Sequence, residues 1–294
     1  MIAFRQIMKR SKRIWVTVFL LMALVAIGAI SWQLIAVRGT FAELKSPTEA
    51  HGKPILVGAE GHRLAGRAFG APSSGANPLV VVLHGDAPFA NPSYQYKFAA
   101  DVAQAAPGSA VVALLRPGYR DPYGAKSDGD RGFASGENYT AGVTDDVAAA
   151  IQALKSKYGA TSVILVGHSG GAAIAADVAA RSGDLIQQIF LVGCPCNVPA
   201  FRRHMARLQW SPVWLLPVNS LSPDQELGQM NHAIKITAIS GSDDPLALPE
   251  YAQAYIDKAS AQGIAASMVI APGQGHEILN SAPVLERVTA SLRN

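Results

Sequence analysis

The chain reads as an α/β protein: a mostly parallel sheet flanked by helices, preceded by a membrane-spanning helix. Three observations predict this. Short runs of Val, Ile and Leu recur at wide spacing with Ala-rich, helix-periodic segments between them. One such junction carries glycines two residues on either side of a serine. Finally, Ile14 to Val37 contains no charged residue.

The apolar segment comes first. Its 24 positions as a helix span about 36 Å, enough for a bilayer with some tilt. Trp15 and Trp32 lie near its ends, where aromatic rings favour the interface. Arg5, Lys9, Arg10, Lys12 and Arg13 precede it, so the positive-inside rule keeps residues 1–38 as a cytoplasmic tail plus anchor and sends the rest across. That side is the periplasm in a bacterium. The rival reading is a cleaved signal peptide, with Ala26-Ile27-Gly28 resembling a cleavage site, but the apolar run continues past it.

The charge balance excludes one class of partner. Of 25 basic residues, six lie at or before Arg38, leaving 19 against 21 acidic ones. The remaining domain is near neutral and carries no nucleic-acid footprint. Apolar residues make up 49% of the chain, which argues for a packed core.

Residues 39–54 read as a linker and residues 55–294 as one large domain. Ile55 to Phe69 suggests a hairpin turning at Glu60-Gly61, and Ala71 to Pro78 a loop. The buried-strand runs are Leu79–Leu83, Ala110–Leu115, Ser162–Val166, Gln188–Val192, Lys235–Ser240 and Ala266–Ile270. They lack strict alternation, as strands covered on both faces do. The helical segments are Gln95–Ala105, Val143–Tyr158, Ala172–Arg181, Tyr251–Gln262 and Pro283–Leu292. Alternation of the two implies βαβ units. The interval 193–233 breaks the rhythm with five prolines and with Phe201, Trp210 and Trp214. It reads as a cap insertion: either a lid with an apolar lining, or aromatics that pack the insertion onto the domain. Cys194 and Cys196, separated by Pro195, are taken as two free thiols; a bridge across one residue is the alternative. A metal site would need more ligands nearby.

The most informative stretch is Val163 to Ala172, a buried strand followed by Gly167-His168-Ser169-Gly170-Gly171 and an Ala-rich helix. A sharp strand-to-helix turn puts the serine in a strained conformation, and glycines let strand and helix approach closely. The hydroxyl then stands at a helix N-terminus. Serine needs a base to remove its proton. His276 lies in a Gly-rich loop after the last strand, which makes it the candidate; His204 and His232 fall inside the insertion and are weaker. The acid that orients the base should end the preceding strand, where Asp243 and Asp244 both stand, one of them also able to cap the helix near Pro249. The oxyanion needs two backbone N–H groups, one from Gly170 and one from the His84-Gly85-Asp86-Ala87 turn. Asp86 is an odd neighbour for a developing anion, unless it points away or pairs with a cation.

Together these residues, with Arg116-Pro117-Gly118-Tyr119 after the second parallel strand, resemble the α/β-hydrolase superfamily from about Ile55 to the C-terminus. The resemblance implies the α/β-hydrolase fold, selects Asp244 over Asp243 as the acid, and selects the Asp86 amide as the second oxyanion donor. A serine at the turn argues against dehalogenase and epoxide-hydrolase chemistry. The expected activity is cleavage of a carboxylic ester, thioester or amide through an acyl-serine, with a small-molecule or lipid ester as substrate and no metal or organic cofactor. Esters are favoured over peptides because they need less leaving-group activation. Acyl transfer with the same triad is a second reading, and a non-catalytic anchored binding domain a third. Substrate and oligomeric state are not legible, since a fold does not name them.

Overall fold

The computed structural model describes residues 14–32, 52–70 and 78–293. The basic tail, most of the expected linker and the loop at 71–77 lie outside these residues. The chain divides into two units, residues 1–43 and 44–294.

In the first unit, Ile14–Trp32 forms helix α1, with a mean hydropathy of 2.5 and almost every side chain exposed. At 1.5 Å per residue its length is about 28 Å, close to a hydrocarbon core. Length and composition alone make it able to cross a membrane; a signal sequence meets the same test.

The second unit is built on an eight-stranded sheet in the order β1-β2-β4-β3-β5-β6-β7-β8. β1 (Lys53–Val57) and β2 (Leu64–Phe69) form the expected hairpin, and β2 also runs antiparallel to β4 (Ala110–Leu114). β1 starts within the segment read as linker, because Lys53 and Pro54 pair with Ala68 and Arg67 across the ladder. Pro54 is tolerated because β1 is an edge strand. β3 (Leu79–Leu83), β4, β5 (Val163–His168), β6 (Gln188–Val192), β7 (Lys235–Gly241) and β8 (Ala265–Ala271) are parallel. Every residue of β3, β4 and β5 is buried. β8, at the far edge, is only partly covered.

Helices α2 (Tyr94–Ala105), α3 (Ala141–Tyr158), α4 (Gly170–Arg181), α7 (Pro249–Ala261) and α8 (Ala282–Ser291) flank the sheet. α3 is capped at both ends: the Thr140 side chain accepts from the Val143 amide, and Gly159 ends it in the left-handed conformation. α4 is buried from Gly170 through Ala180. A helix apolar on every side but for Asp177 sits in the core, and its alanines let it lie close to β5. The interval between β6 and β7 folds as α5 (Val198–Leu208), a 3₁₀ turn at Pro212–Leu215, α6 (Pro223–Glu226) and a second 3₁₀ turn at Leu227–Gln229. Of its aromatics, Phe201 and Trp214 pack edge to face with Met205 against Leu246 and Tyr251, whereas Trp210 is exposed. Packing onto the domain thus accounts for two of the three.

Parallel strands bring their C-terminal ends to one edge. The loops after β3, β5, β7 and β8 carry His84 to Ala87, Ser169, Asp244 and His276 respectively. The topology therefore gathers residues far apart in sequence.

Candidate active site

Ser169 sits between β5 and α4 with φ 54° and ψ −123°. Trp210 is the one other non-glycine residue at positive φ among the described residues. Such a conformation costs of order 1–3 kcal/mol and persists where the surroundings over-determine it. Here the Ser169 amide donates to the Val192 carbonyl at 2.8 Å, and its carbonyl accepts from Ala172 and Ala173. A Cβ on Gly167 would lie 2.2 Å from the Gly171 carbonyl oxygen. Only glycine lets the strand leave and the helix enter at that distance.

The structure brings Ser169, His276 and Asp244 into one hydrogen-bonded row. The Ser169 hydroxyl donates to His276 Nε2 at 2.8 Å, and His276 Nδ1–H donates to Asp244 Oδ2 at 2.7 Å. Burial opposes a charge on the imidazole, but the hydrogen bond and charge of Asp244, with Glu277 and Asp86 more remote, outweigh it. The His276 pKa accordingly lies above the ordinary histidine value. Asp244 is held in turn: its Oδ1 accepts from the Leu246 and Ala247 amides at 2.8 and 3.0 Å. Neither Asp243 nor Asp244 caps α7; the capping position is Leu248, without a side-chain bond. That expectation fails because Asp244 is spent on the turn that points it at His276. Asp243 faces solvent, and its amide donates to the Gln274 carbonyl at 2.9 Å, tying the loop of Asp244 to the loop of His276.

A second row of hydrogen bonds braces the first. The Gly85 amide donates to the Tyr94 hydroxyl at 2.6 Å. That hydroxyl donates to His168 Nδ1 at 2.6 Å, and His168 Nε2–H donates to the His276 carbonyl at 2.9 Å. The partners fix the tautomer, since a carbonyl can only accept. Burial depresses the His168 pKa, consistent with a neutral ring. The turn after β3, the elbow and the loop of His276 are thereby tied together. Sequence reading assigned no role to Tyr94 or His168. His168 lies within the elbow motif, which offered a signal; Tyr94 offered none.

The structure sets the turn after β3 against the serine: a Cβ on Gly85 would lie 2.8 Å from the Ser169 Cβ. Among the described residues no hydrogen bond to the protein is found for the amides of Asp86 or Gly170. The Asp86 carboxylate does not point away, since a Cβ on Gly170 would lie 2.5 Å from its Oδ1. It is instead neutralised. Arg116 Nη1 donates to Oδ1 at 2.7 Å, while the Tyr139 hydroxyl and the Gly136 amide donate to Oδ2 at 2.5 and 2.9 Å. Both charged partners are buried. His84 ties this turn to β4, donating from Nδ1 to the Gly85 carbonyl and accepting the Arg116 amide at Nε2.

Cys194 and Cys196 form a disulfide, which corrects the free-thiol reading. The turn at Pro195 holds their Cα atoms 5.1 Å apart, inside the range a bridge needs. The bridge follows Gly193, whose position faces the site: a Cβ there would meet the His276 ring at 3.4 Å and Asp244 Oδ2 at 3.5 Å. Of the other histidines, His204 bonds the Pro245 carbonyl from the cap and has no contact with Ser169. His62 pairs with Asp146 on the surface. Among the described residues no group of three or more His, Cys, Asp or Glu side chains could hold a metal ion.

A comparison with curated protein sequences finds no match. Solved structures share the fold. Esterase PE8 superposes with a TM-score of 0.57 at 21% identity, over 78% of this chain and 98% of its own. Est1E from Butyrivibrio proteoclasticus gives 0.59 at 15% identity, over 82% and 96%. The acylaminoacyl peptidase of Pyrococcus horikoshii gives 0.62 at 13% identity, over 85% of this chain but 41% of that one. A family model described as the alpha/beta hydrolase family matches residues 80–288, and the chain belongs to that family.

Proposed function

We propose that this member of the alpha/beta hydrolase family is a serine hydrolase that cleaves a carboxylic ester through an acyl-serine. The observation that carries the reading is the unbroken row from Ser169 through His276 to Asp244 at a strained strand-to-helix turn. The Ser169 hydroxyl gives its proton to His276 Nε2 as Oγ bonds to the ester carbonyl carbon. Asp244 holds the imidazole with Nε2 free to accept and stabilises the imidazolium. The developing oxyanion meets the amides of Asp86 and Gly170, each donor being worth about 10²–10³ in rate. As the C–O bond breaks, His276 returns the proton to the leaving alcohol. Water, deprotonated by His276, then attacks the acyl-serine and releases the acid. The acidic Asp86 carboxylate does not oppose the anion, because Arg116 balances its charge. Two titratable imidazoles meet near the site, and burial keeps His168 neutral while Asp244 raises His276, so one orients and the other exchanges protons.

The test is labelling of the folded full chain by a fluorophosphonate. The probe is expected on Ser169 and not on Ser169→Ala, with ester turnover lost in the same variant. A folded chain that takes no label at Ser169 ends this reading.

We also propose that α1 anchors the chain with its N-terminus in the cytoplasm and the hydrolase domain outside. Five basic residues before Ile14 support the orientation. The Cys194–Cys196 bridge supports an oxidising compartment such as a periplasm. Trapping of thiols in intact cells is expected to find this pair oxidised; a reduced pair argues for the cytoplasm.

A further inference from the structure

The cap between β6 and β7 carries a surface that the proposed chemistry does not use. Within residues 208–216, Leu208, Trp210, Val213, Leu215 and Leu216 are exposed at 45%, 88%, 44%, 62% and 60%. Single exposed apolar residues need no explanation, but a contiguous group of them marks an interaction site. These side chains stand on a braced frame. Buried Arg202 donates to the carbonyls of Ser135, Val213 and Leu216 and packs over the Trp214 ring, while Trp214 Nε1–H donates to Gln209 Oε1 at 2.9 Å. The frame turns Trp214 inward and leaves its neighbours facing out.

The charges carried by this segment are of one sign. Arg203 and Arg207 project from the outer side of α5 and share a shallow surface cavity with Trp210, Pro212 and Leu215. No acidic residue occurs in the sequence between Asp184 and Asp224. Guanidinium groups at the edge of an exposed Trp/Leu surface are the chemistry of a segment lying in the interface of an anionic bilayer: apolar side chains enter the acyl boundary and cations meet the headgroups. A protein partner that buried the same patch would need its own carboxylates at matching positions, whereas a lipid surface supplies anions wherever the arginines fall. The same chain also carries α1, long and apolar enough to enter a bilayer.

We infer that the exposed face of α5 and the turn after it, centred on Trp210, Leu215 and Leu216 with Arg203 and Arg207, docks the hydrolase domain onto an anionic lipid surface. None of these residues belongs to the row from Ser169 to Asp244, and the inference stands whether or not Ser169 is acylated.

The full chain is reconstituted into liposomes of phosphatidylcholine, with or without phosphatidylglycerol, carrying an environment-sensitive fluorophore on Leu215→Cys. The same label on Gln104→Cys, in the last turn of α2, is the control. The expected result is a blue shift at position 215 when phosphatidylglycerol is present, weakened by salt, with none at position 104. Neutralising both charges in Arg203→Gln/Arg207→Gln is expected to lower the docked-to-free ratio roughly 30-fold with unchanged thermal unfolding; reversing them in Arg203→Glu/Arg207→Glu should lower it further. An absent shift, a shift shared by position 104, or one equal on neutral lipid and indifferent to the arginines overturns the inference. So does a shift that follows protein density at fixed lipid composition, which assigns the face to a second copy. Fluorophosphonate labelling of Ser169 in the same samples is read separately, so failure of docking and failure of the catalytic reading stay distinguishable.

Discussion

Asp86 and Asp177 are both buried within one domain and are handled in opposite ways. Asp86, in the turn after β3, is met by the Arg116 guanidinium, the Tyr139 hydroxyl and the Gly136 amide. Asp177, midway along α4, has neither carboxylate oxygen hydrogen-bonded among the described residues. Burial raises its pKa well above the ordinary aspartate value, with Glu226 and Asp224 adding to the rise and Arg181 opposing it. A buried carboxylate is tolerated either by building partners for its charge or by shedding the charge. The first solution makes a stiff charged turn beside the serine. The second makes a local pH-dependent weakness in the domain's central helix. Asp244 belongs with Asp86: it is 3% exposed, and its bonds to two amides and an imidazole serve as its partners.

If partnered carboxylates are the functional ones, the largest effect belongs to Asp244→Asn. The isostere keeps the shape but no longer fixes the His276 tautomer, and ester turnover is expected to fall about 10⁴-fold. The residual activity should also move. Asp244 raises the His276 pKa against burial, so its removal lowers that pKa. In the proposed mechanism His276 must be neutral to act, so the acid limb of the rate profile, expected above the ordinary histidine value in the wild type, shifts to lower pH in the variant. An unmoved limb would assign it to another group.

Next comes Asp86→Ala. It leaves Arg116 buried and charged without its carboxylate, an uncompensated charge that typically costs 3–5 kcal/mol, about 4 in mid-range. Equilibrium unfolding measures the loss, and labelling of Ser169 should fall with it because the turn beside the serine loosens. A smaller version is Tyr139→Phe, which removes one hydrogen bond to the Asp86 carboxylate. Bonds to charged groups contribute about 1.5–3 kcal/mol. If both variants cost less than about 1 kcal/mol, the span measured for exposed pairs, the partners do not stabilise Asp86 and the contrast with Asp177 fails.

Much of this was legible in the sequence, for identifiable reasons. The parallel strands announced themselves because burial on both faces demands unbroken Val, Ile and Leu, as in Leu79–Leu83. The elbow was legible because steric demand at Gly167 and Gly171 leaves a fixed spacing around Ser169. The Arg116–Asp86 pair was not, because the residues are 30 positions apart and meet only through the β3–β4 pairing. The same holds for Tyr94, whose hydroxyl reaches His168 across 74 positions and so joins it to the turn at Gly85. The disulfide turned on the backbone path at Pro195, which composition does not reveal. Local steric rules leave marks on neighbouring residues; charge pairing across a sheet edge leaves them on residues that only the fold brings together.

The smallest and most discriminating test is Asp177→Asn. A carboxyl whose folded pKa is raised above its unfolded value stabilises the fold fully at pH below the unfolded value near 4. That stability is lost as pH rises through the folded pKa, because the unfolded state ionises first. In the wild type, stability traceable to Asp177 therefore declines from mildly acidic pH upward. Asparagine cannot ionise, so the variant lacks this decline. Thermal unfolding across the range should show the variant gaining on the wild type as pH increases, with a difference on the order of 1–2 kcal/mol. Asp86→Asn should instead destabilise the fold, since its charge is matched by Arg116 and neutralising it strands the guanidinium. Parallel pH curves for wild type and Asp177→Asn would mean that the α4 carboxyl has partners after all, and that the two aspartates differ only in position.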